Sequence, residues 1–173
     1  MIKMIELIQC KASDVEQLQA ISINTFVDTF IEQNTEEDLE VYLDRAYNIK
    51  QLTSEINQVG TAFYFLKDSG VIVGYLKINI DDAQSEKDDP LALEVERIYV
   101  LPEHKRKGYG KRLLEFAHTR AKELNRTSIW LGVWEHNHNA LAFYERMGYQ
   151  RVGEHTFYMG DDAQVDYIML KEL

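Results

Sequence analysis

The stretch "HKRKGYGKRLLEFA", His104 to Ala117, decides how the rest of the chain is read. Its first nine positions hold five lysines and arginines and no acid, around Gly108 and Gly110, in a protein whose formal net charge is -10. From Gly108 onward, Leu113, Leu114, Ala117, Ala121 and Leu124 form the apolar stripe of an amphipathic helix. A basic turn feeding a helix N-terminus outlines an anion site, because the first helical N–H groups lack partners and the positive end of the helix dipole lies there. Glycine permits unusual φ values and close backbone approach, so successive N–H groups can converge on a pyrophosphate. The stretch lacks the Gly-Lys-Ser/Thr ending of a nucleotide-triphosphate loop, and "GYG" is not the G-x-G-x-x-G of dinucleotide folds.

Composition limits what surrounds this turn. With 173 residues, 45% of them hydrophobic, the chain reads as one soluble domain, 1–173, able to bury a sizeable core. Twenty-nine acids against nineteen lysines and arginines argue against nucleic acid or an anionic membrane as partner and permit a cationic one. Glu6 and Gln9 interrupt the apolar N-terminal residues, so neither a signal peptide nor a spanning helix is expected, and the expected location is cytoplasmic. The lone Cys10 reads as a buried structural thiol. His136 and His138 lack a third ligand, so no metal site is expected.

Along the chain, residues 4–10 alternate as a strand, and "SDVE" at Ser13 to Glu16 has capping-box spacing for a helix running to about Phe30. Leu39, Tyr42, Leu43 and Ala46 predict a second helix, and "IKQLTSEI" a further turn or two. "TAFYFLKDSGVIVGYLKINI" reads as a hairpin about Asp-Ser-Gly, and "DDAQSEKDDP" as the loop after it. Leu91 to Val100 is a strand ended by Pro102; "TSIWLGVW" is a strand, "NALAFYERMG" a helix closed by Gly148, and "YQRVGEHTFYM" and "QVDYIMLKEL" are the last strands. The layout is α/β.

The combination "RIYVLPEHKRKGYGKRLL" followed by "IWLGVWEHNHNALAFYERMGYQRVG" resembles the two linked acetyl-CoA motifs of the GNAT superfamily of N-acetyltransferases. Lys105 stands where the superfamily's pyrophosphate loop usually has Gln or Arg, while Gly108 and Gly110 match. The resemblance implies a mixed, mostly antiparallel sheet of about seven strands, flanked by helices and splayed between the fourth and fifth, where acetyl-CoA enters. It further implies that backbone groups of Ile98, Tyr99 and Val100 pair with the pantetheine arm and that the Val100 N–H holds the thioester oxygen. The N–H groups of Arg106, Lys107, Gly108, Tyr109, Gly110 and Lys111 would cradle the pyrophosphate, Asn137 would contact the cofactor, and Tyr144 would lie beside the sulfur. "TFVDTFIEQN", "INIDDAQSE" and "FYMGDDAQVDYIM" extend the likeness to bacterial spermine/spermidine acetyltransferases of the Pai type, implying a polyamine acceptor and admitting a homodimer.

The chemistry is constrained independently of the resemblance. A primary amine with a pKa of about 10.4 is mostly protonated at neutral pH, so a base or a solvent relay must deprotonate it before it attacks an acyl carbon. Period-two alternation places Glu94 and Glu96 on one face of their strand, with Ile98 and Val100 further along it. Glu96, acting through water, is the preferred base; it is nearer the thioester end and matches an acid of eukaryotic polyamine acetyltransferases. A phenol with a pKa of about 10, Tyr144, suits proton donation to the leaving thiolate. Asp28 and Glu32, four apart, with Asp81, Asp82 and Glu135, offer carboxylates to distal ammonium groups, and Trp134 a cation–π surface. The alternatives are an acetyl-CoA-binding regulatory module without turnover, and an acetyltransferase for a protein N-terminus or another small amine.

Overall fold

The computed structural model describes residues 4–87 and 89–173; Asp88 of the expected loop lies outside the described residues. Strand β1 (Ile5–Gln9) leads through a 3-10 turn into helix α1 (Val15–Phe30), followed by α2 (Glu36–Ala46) and α3 (Ile49–Ile56). The hairpin β2 (Thr61–Asp68) and β3 (Val71–Ile80) precedes β4 (Ala92–Val100), α4 (Tyr109–Glu123), β5 (Ser128–Trp134) and α5 (His138–Arg146). Strands β6 (Gln150–Met159) and β7 (Asp162–Glu172) complete one seven-stranded sheet, ordered β1-β2-β3-β4-β5-β7-β6. This is the GNAT fold anticipated from the motifs. No helix among the described residues is long and apolar enough to cross a membrane.

Local chemistry explains the helices. In α1, Leu18, Ile21, Ser22, Thr25, Phe26 and Phe30 are buried at helical spacing. Its start departs from the expected Ser13 capping box: the Lys11 N–H donates to Asp14 Oδ2 at 2.8 Å, and a 3-10 turn at Ala12–Asp14 takes up the Ser13 position. Thr35 and Asn48 cap α2 and α3 by accepting the N–H groups of Asp38 and Gln51. Helix α4 begins at Gly108, whose φ of 83° is left-handed, and buries Leu113, Leu114, Ala117 and Ala121 against the sheet. Cys10 is buried, and burial pushes its thiol up to about 12, consistent with a structural residue.

Two irregularities in β4 position the site. Parallel pairing with β5 lasts only from Ala92↔Ser128 to Val95↔Leu131, while β5 stays paired with β7 from Ser128 to Trp134. The two strands therefore part beyond Val95. On the other edge, Lys77 pairs with Arg97 and Ile78 with Val95, so Glu96 is the extra residue of a β-bulge. The bulge reverses the alternation. Leu93, Val95, Ile98 and Val100 pack on the α4 side, whereas Tyr99 joins the core under α1–α3. The expectation that Ile98 and Val100 share a face with Glu94 and Glu96 is thus corrected, because one inserted residue moves every later side chain to the opposite face.

On the α1–α3 side the bulge supports a buried charge cluster. Lys77 Nζ lies 2.6 Å from Glu55 Oε1 and 2.9 Å from Glu96 Oε2; Arg97 Nη2 lies 3.2 Å from each of the same oxygens. Two cations and two anions balance here, and removing one partner strands a buried charge. Lys77→Met should lower the unfolding free energy by about 3 kcal/mol at pH 7 in urea denaturation. Glu96 titrates below the usual carboxylate range in the fold, so its share of this stability is present at neutral pH and fades as pH falls through that lowered value. The difference between variant and wild type should accordingly shrink in acid.

Candidate active site

The parting of β4 and β5 opens a cleft of about 1090 Å³ with two chemically different halves. The α4 side is lined by Ile98, Val100, Arg106, Gly108, Gly110, Lys111, Asn137 and Tyr144. The Leu101 N–H donates to Val73, so by antiparallel alternation the main-chain groups of Arg97 and Tyr99 are also spent on β3, and those of Ile98 and Val100 face the opening. Tyr99 therefore contributes no backbone group to the opening, contrary to expectation. Its ring instead stacks on Tyr75 on the other face.

The basic turn has the form an anion requires. Arg106 takes a left-handed φ of 65° and Gly108 one of 83°, bending the chain so that α4 starts at the cleft. The N–H groups of Arg106, Lys107, Gly108, Gly110 and Lys111 donate to no other group among the described residues. A Cβ built on Gly110 meets nothing within 4 Å, so the space beside the turn is open. Tyr109 turns its hydroxyl to Asp68, and the Lys107 side chain is exposed outside the cleft. Lys105 reaches Asp28 of α1, Nζ to Oδ2 2.6 Å. Asn137 Oδ1 accepts the Ala140 N–H at 3.2 Å, capping α5, which leaves its amide NH₂ for a ligand. Tyr144, from α5, is buried yet borders the cleft; burial raises its phenol well above its ordinary value, so it is a neutral O–H donor at physiological pH.

The other half lies under α1 and α2. Phe26, Phe30, Tyr42, Tyr47, Trp130, Trp134 and Phe157 give it aromatic walls, and Glu86, Glu94, Glu96 and Asp166 supply carboxylates. Glu94 accepts from Ser85 and Asn79 and is raised by burial. Burial would also raise Glu96, but the Arg97 and Lys77 charges outweigh it and hold the carboxyl below the usual range. Asn79 occupies Glu96 Oε1 at 2.9 Å, so one lone pair of that oxygen remains for water.

The substrate acids chosen from sequence are not brought together. Helix α1 ends at Phe30 and a 3-10 turn follows, so Asp28 and Glu32 do not continue one α-helical face. Asp28 pairs with Lys105, Asp81 pairs with Arg126 at 2.8 Å, and Asp82 is exposed. Glu135 lies 3.6 Å from His136 and also stays outside the cleft, whereas Trp134 lines it. Glu86 and Asp166 were missed. The signal for Asp166 was its position in "VDYIML", an acid within an otherwise apolar strand.

Comparison with known proteins agrees with the geometry. Residues 23–149 match the model of the acetyltransferase (GNAT) family. The uncharacterized N-acetyltransferase in the pepI 3' region of Lactobacillus delbrueckii subsp. lactis is 44% identical over 98% of each chain. Among solved structures, the PaiA N-acetyltransferase of Thermoplasma acidophilum in complex with coenzyme A is similar, with a TM-score of 0.81 and 22% identity over 98% of this chain and 99% of that one. The ribosomal-protein-S18-alanine N-acetyltransferase of Escherichia coli has a TM-score of 0.72 and 17% identity over 98% of this chain and 94% of that one. The chain belongs to the GNAT acetyltransferase family and is an N-acetyltransferase that uses acetyl-CoA. The open N–H groups of the turn and the backbone edge of Ile98 and Val100 fit that cofactor.

Gly110→Asp separates binding from folding. The new side chain has room, and an acid in the first turn of α4 favours the helix, yet it repels a pyrophosphate. The variant should melt no lower than wild type while calorimetric coenzyme A affinity falls by about tenfold or more, the equivalent of about 1.4 kcal/mol.

Proposed function

We propose that the protein transfers acetyl from acetyl-CoA to a primary amine of a polyamine, spermidine or spermine, by direct attack in a ternary complex. The observation carrying this reading is the acceptor half of the cleft, where carboxylates of Glu86, Glu94 and Asp166 lie among aromatic walls. The Glu55–Lys77–Glu96–Arg97 cluster balances itself, so these three acids make the half net negative. Methylene segments suit the aromatic surfaces, and dispersed carboxylates suit distal ammonium groups without trapping the reacting nitrogen.

Acetyl-CoA supplies the activated acetyl thioester. Ile98 and Val100 offer N–H groups at the strand edge, a preorganised donor set for a developing oxyanion. Tyr144 holds at Oη the proton that a departing sulfur takes up. Glu96, kept ionised by its two cations, orders water on the free lone pair of Oε1 beside the amine. Cys10 lies outside the cleft, in keeping with transfer that needs no covalent enzyme intermediate.

Tyr144→Phe should lower kcat by roughly 10²-fold with coenzyme A affinity retained, as expected for loss of a proton donor. The acceptor is tested by thiol release across an amine panel. Spermidine and spermine should exceed a monoamine of similar length in kcat/KM, and salt should raise the polyamine KM more, because partly exposed ion pairs are screened at a Debye length of about 8 Å. Equal kcat/KM values at low salt would reject the polyamine acceptor.

A further inference from the structure

We infer that Asp166 accepts the proton of the attacking amine and that His155 and Glu86 carry it toward solvent. The inference rests on acetyl transfer to an amine and is independent of which amine is used.

Gly132 is the first β5 residue beyond Leu131, the last to pair with β4, and so marks where the strands part. Asp166, on β7, stands opposite Trp134 and leans over this glycine: a Cβ built on Gly132 would lie 3.3 Å from Asp166 Oδ2. The missing side chain leaves room for the carboxyl where β4 and β5 part, the opening proposed to admit the acetyl group. Among the described residues Asp166 makes no side-chain hydrogen bond or ion pair, and it lines the cleft. It is a half-buried acid with its acceptor capacity unspent.

Its surroundings keep it a base. Burial pushes the Asp166 carboxyl up to about 6, opposed by His155. The phenols of Tyr42 from α2 and Tyr99 from β4 also face it, both raised by their own burial and therefore neutral. At neutral pH Asp166 is mostly ionised, yet more basic than an ordinary carboxylate, which narrows its mismatch with an amine. Glu96 has the opposite character, lowered and already engaged by Lys77, Arg97 and Asn79. An exit path is present as well. His155 stands opposite Asp166 in the β6–β7 ladder, with its Nδ1 3.4 Å from Glu86 Oε1 and its side chain half exposed.

The proton balance closes. The acceptor enters as an ammonium and leaves as an amide, losing two protons. The first passes to Asp166 and on through His155 to solvent. The N–C bond then forms as the C–S bond breaks, its electron pair going to sulfur, which takes the Tyr144 proton. The second nitrogen proton restores Tyr144 through water.

Carbon-13 NMR of aspartate-labelled free protein tests the assignment without substrate. One carboxyl should titrate with a midpoint near 6 and disappear in Asp166→Asn. In the pH profile of kcat/KM for any amine turned over, the variant should lose the acid limb and fall by about 10²-fold at neutral pH. Its melting temperature at pH 7 should not fall, because a carboxyl whose pKa is raised on folding destabilises the fold once ionised. An Asp166 midpoint near 4, an acid limb retained in the variant, or a lowered melting temperature with wild-type turnover would overturn the inference. Failure of the polyamine reading would instead appear only in the amine panel and leave the titration unchanged.

Discussion

The break in the hydrogen-bond ladder between β4 and β5 is the constraint on which the rest of the structure depends. Paired backbone groups are the rule in a buried sheet, and an open edge at its centre is costly unless something else meets it. Here β5 remains paired with β7 throughout, so β4 is left with Ile98 and Val100 facing the gap. An acyl-pantetheine arm, itself built of amides, has the groups to satisfy that edge. The glycine turn at Arg106 to Gly110 borders the same gap, so one interruption brings the open strand edge and the basic turn into a single cleft.

The bulge at Glu96 gives this gap two chemistries. Ahead of it β4 sends Glu94 toward the acceptor half; beyond it the strand turns Ile98 and Val100 toward α4 and Tyr99 the other way. The charge cluster on Lys77 anchors the bulge from β3 and α3, with Asn79 joining Glu94 and Glu96. Position and charge divide labour among the carboxylates. The acid between Lys77 and Arg97 is held ionised, while the acid leaning over Gly132 has no cation bonded to it among the described residues and is more basic.

Much of this was legible in the sequence because it was local. Helix stripes, the Asp-Ser-Gly hairpin, and the paired glycines before an amphipathic helix all depend on neighbours a few residues away. The motifs in "HKRKGYGKRLL" and "NHNALAFYERMGY" carried the family and the fold, and with them the sides of the cleft formed by Gly108, Asn137 and Tyr144. What stayed hidden was non-local. Alternation alone could not reveal an inserted residue in β4, because a bulge is defined by the partner strand. Asp28 and Glu32 looked like a pair by spacing, yet the helix ended between them and Lys105, 77 residues away, took one of them. Asp166 drew no notice because its importance lies in Gly132, on a different strand.

That same inserted residue restricts how β4 can vary over evolutionary time. Losing one residue from the strand would not merely shorten it. Ile98 and Val100 would turn toward the charged cavity, Tyr99 would turn into the packing under α4, and the edge offered to the gap would change from acceptable to wrong in a single step. Substitutions along Ala92–Val100 can accumulate one at a time, but its length is as much a part of the site as any side chain it carries.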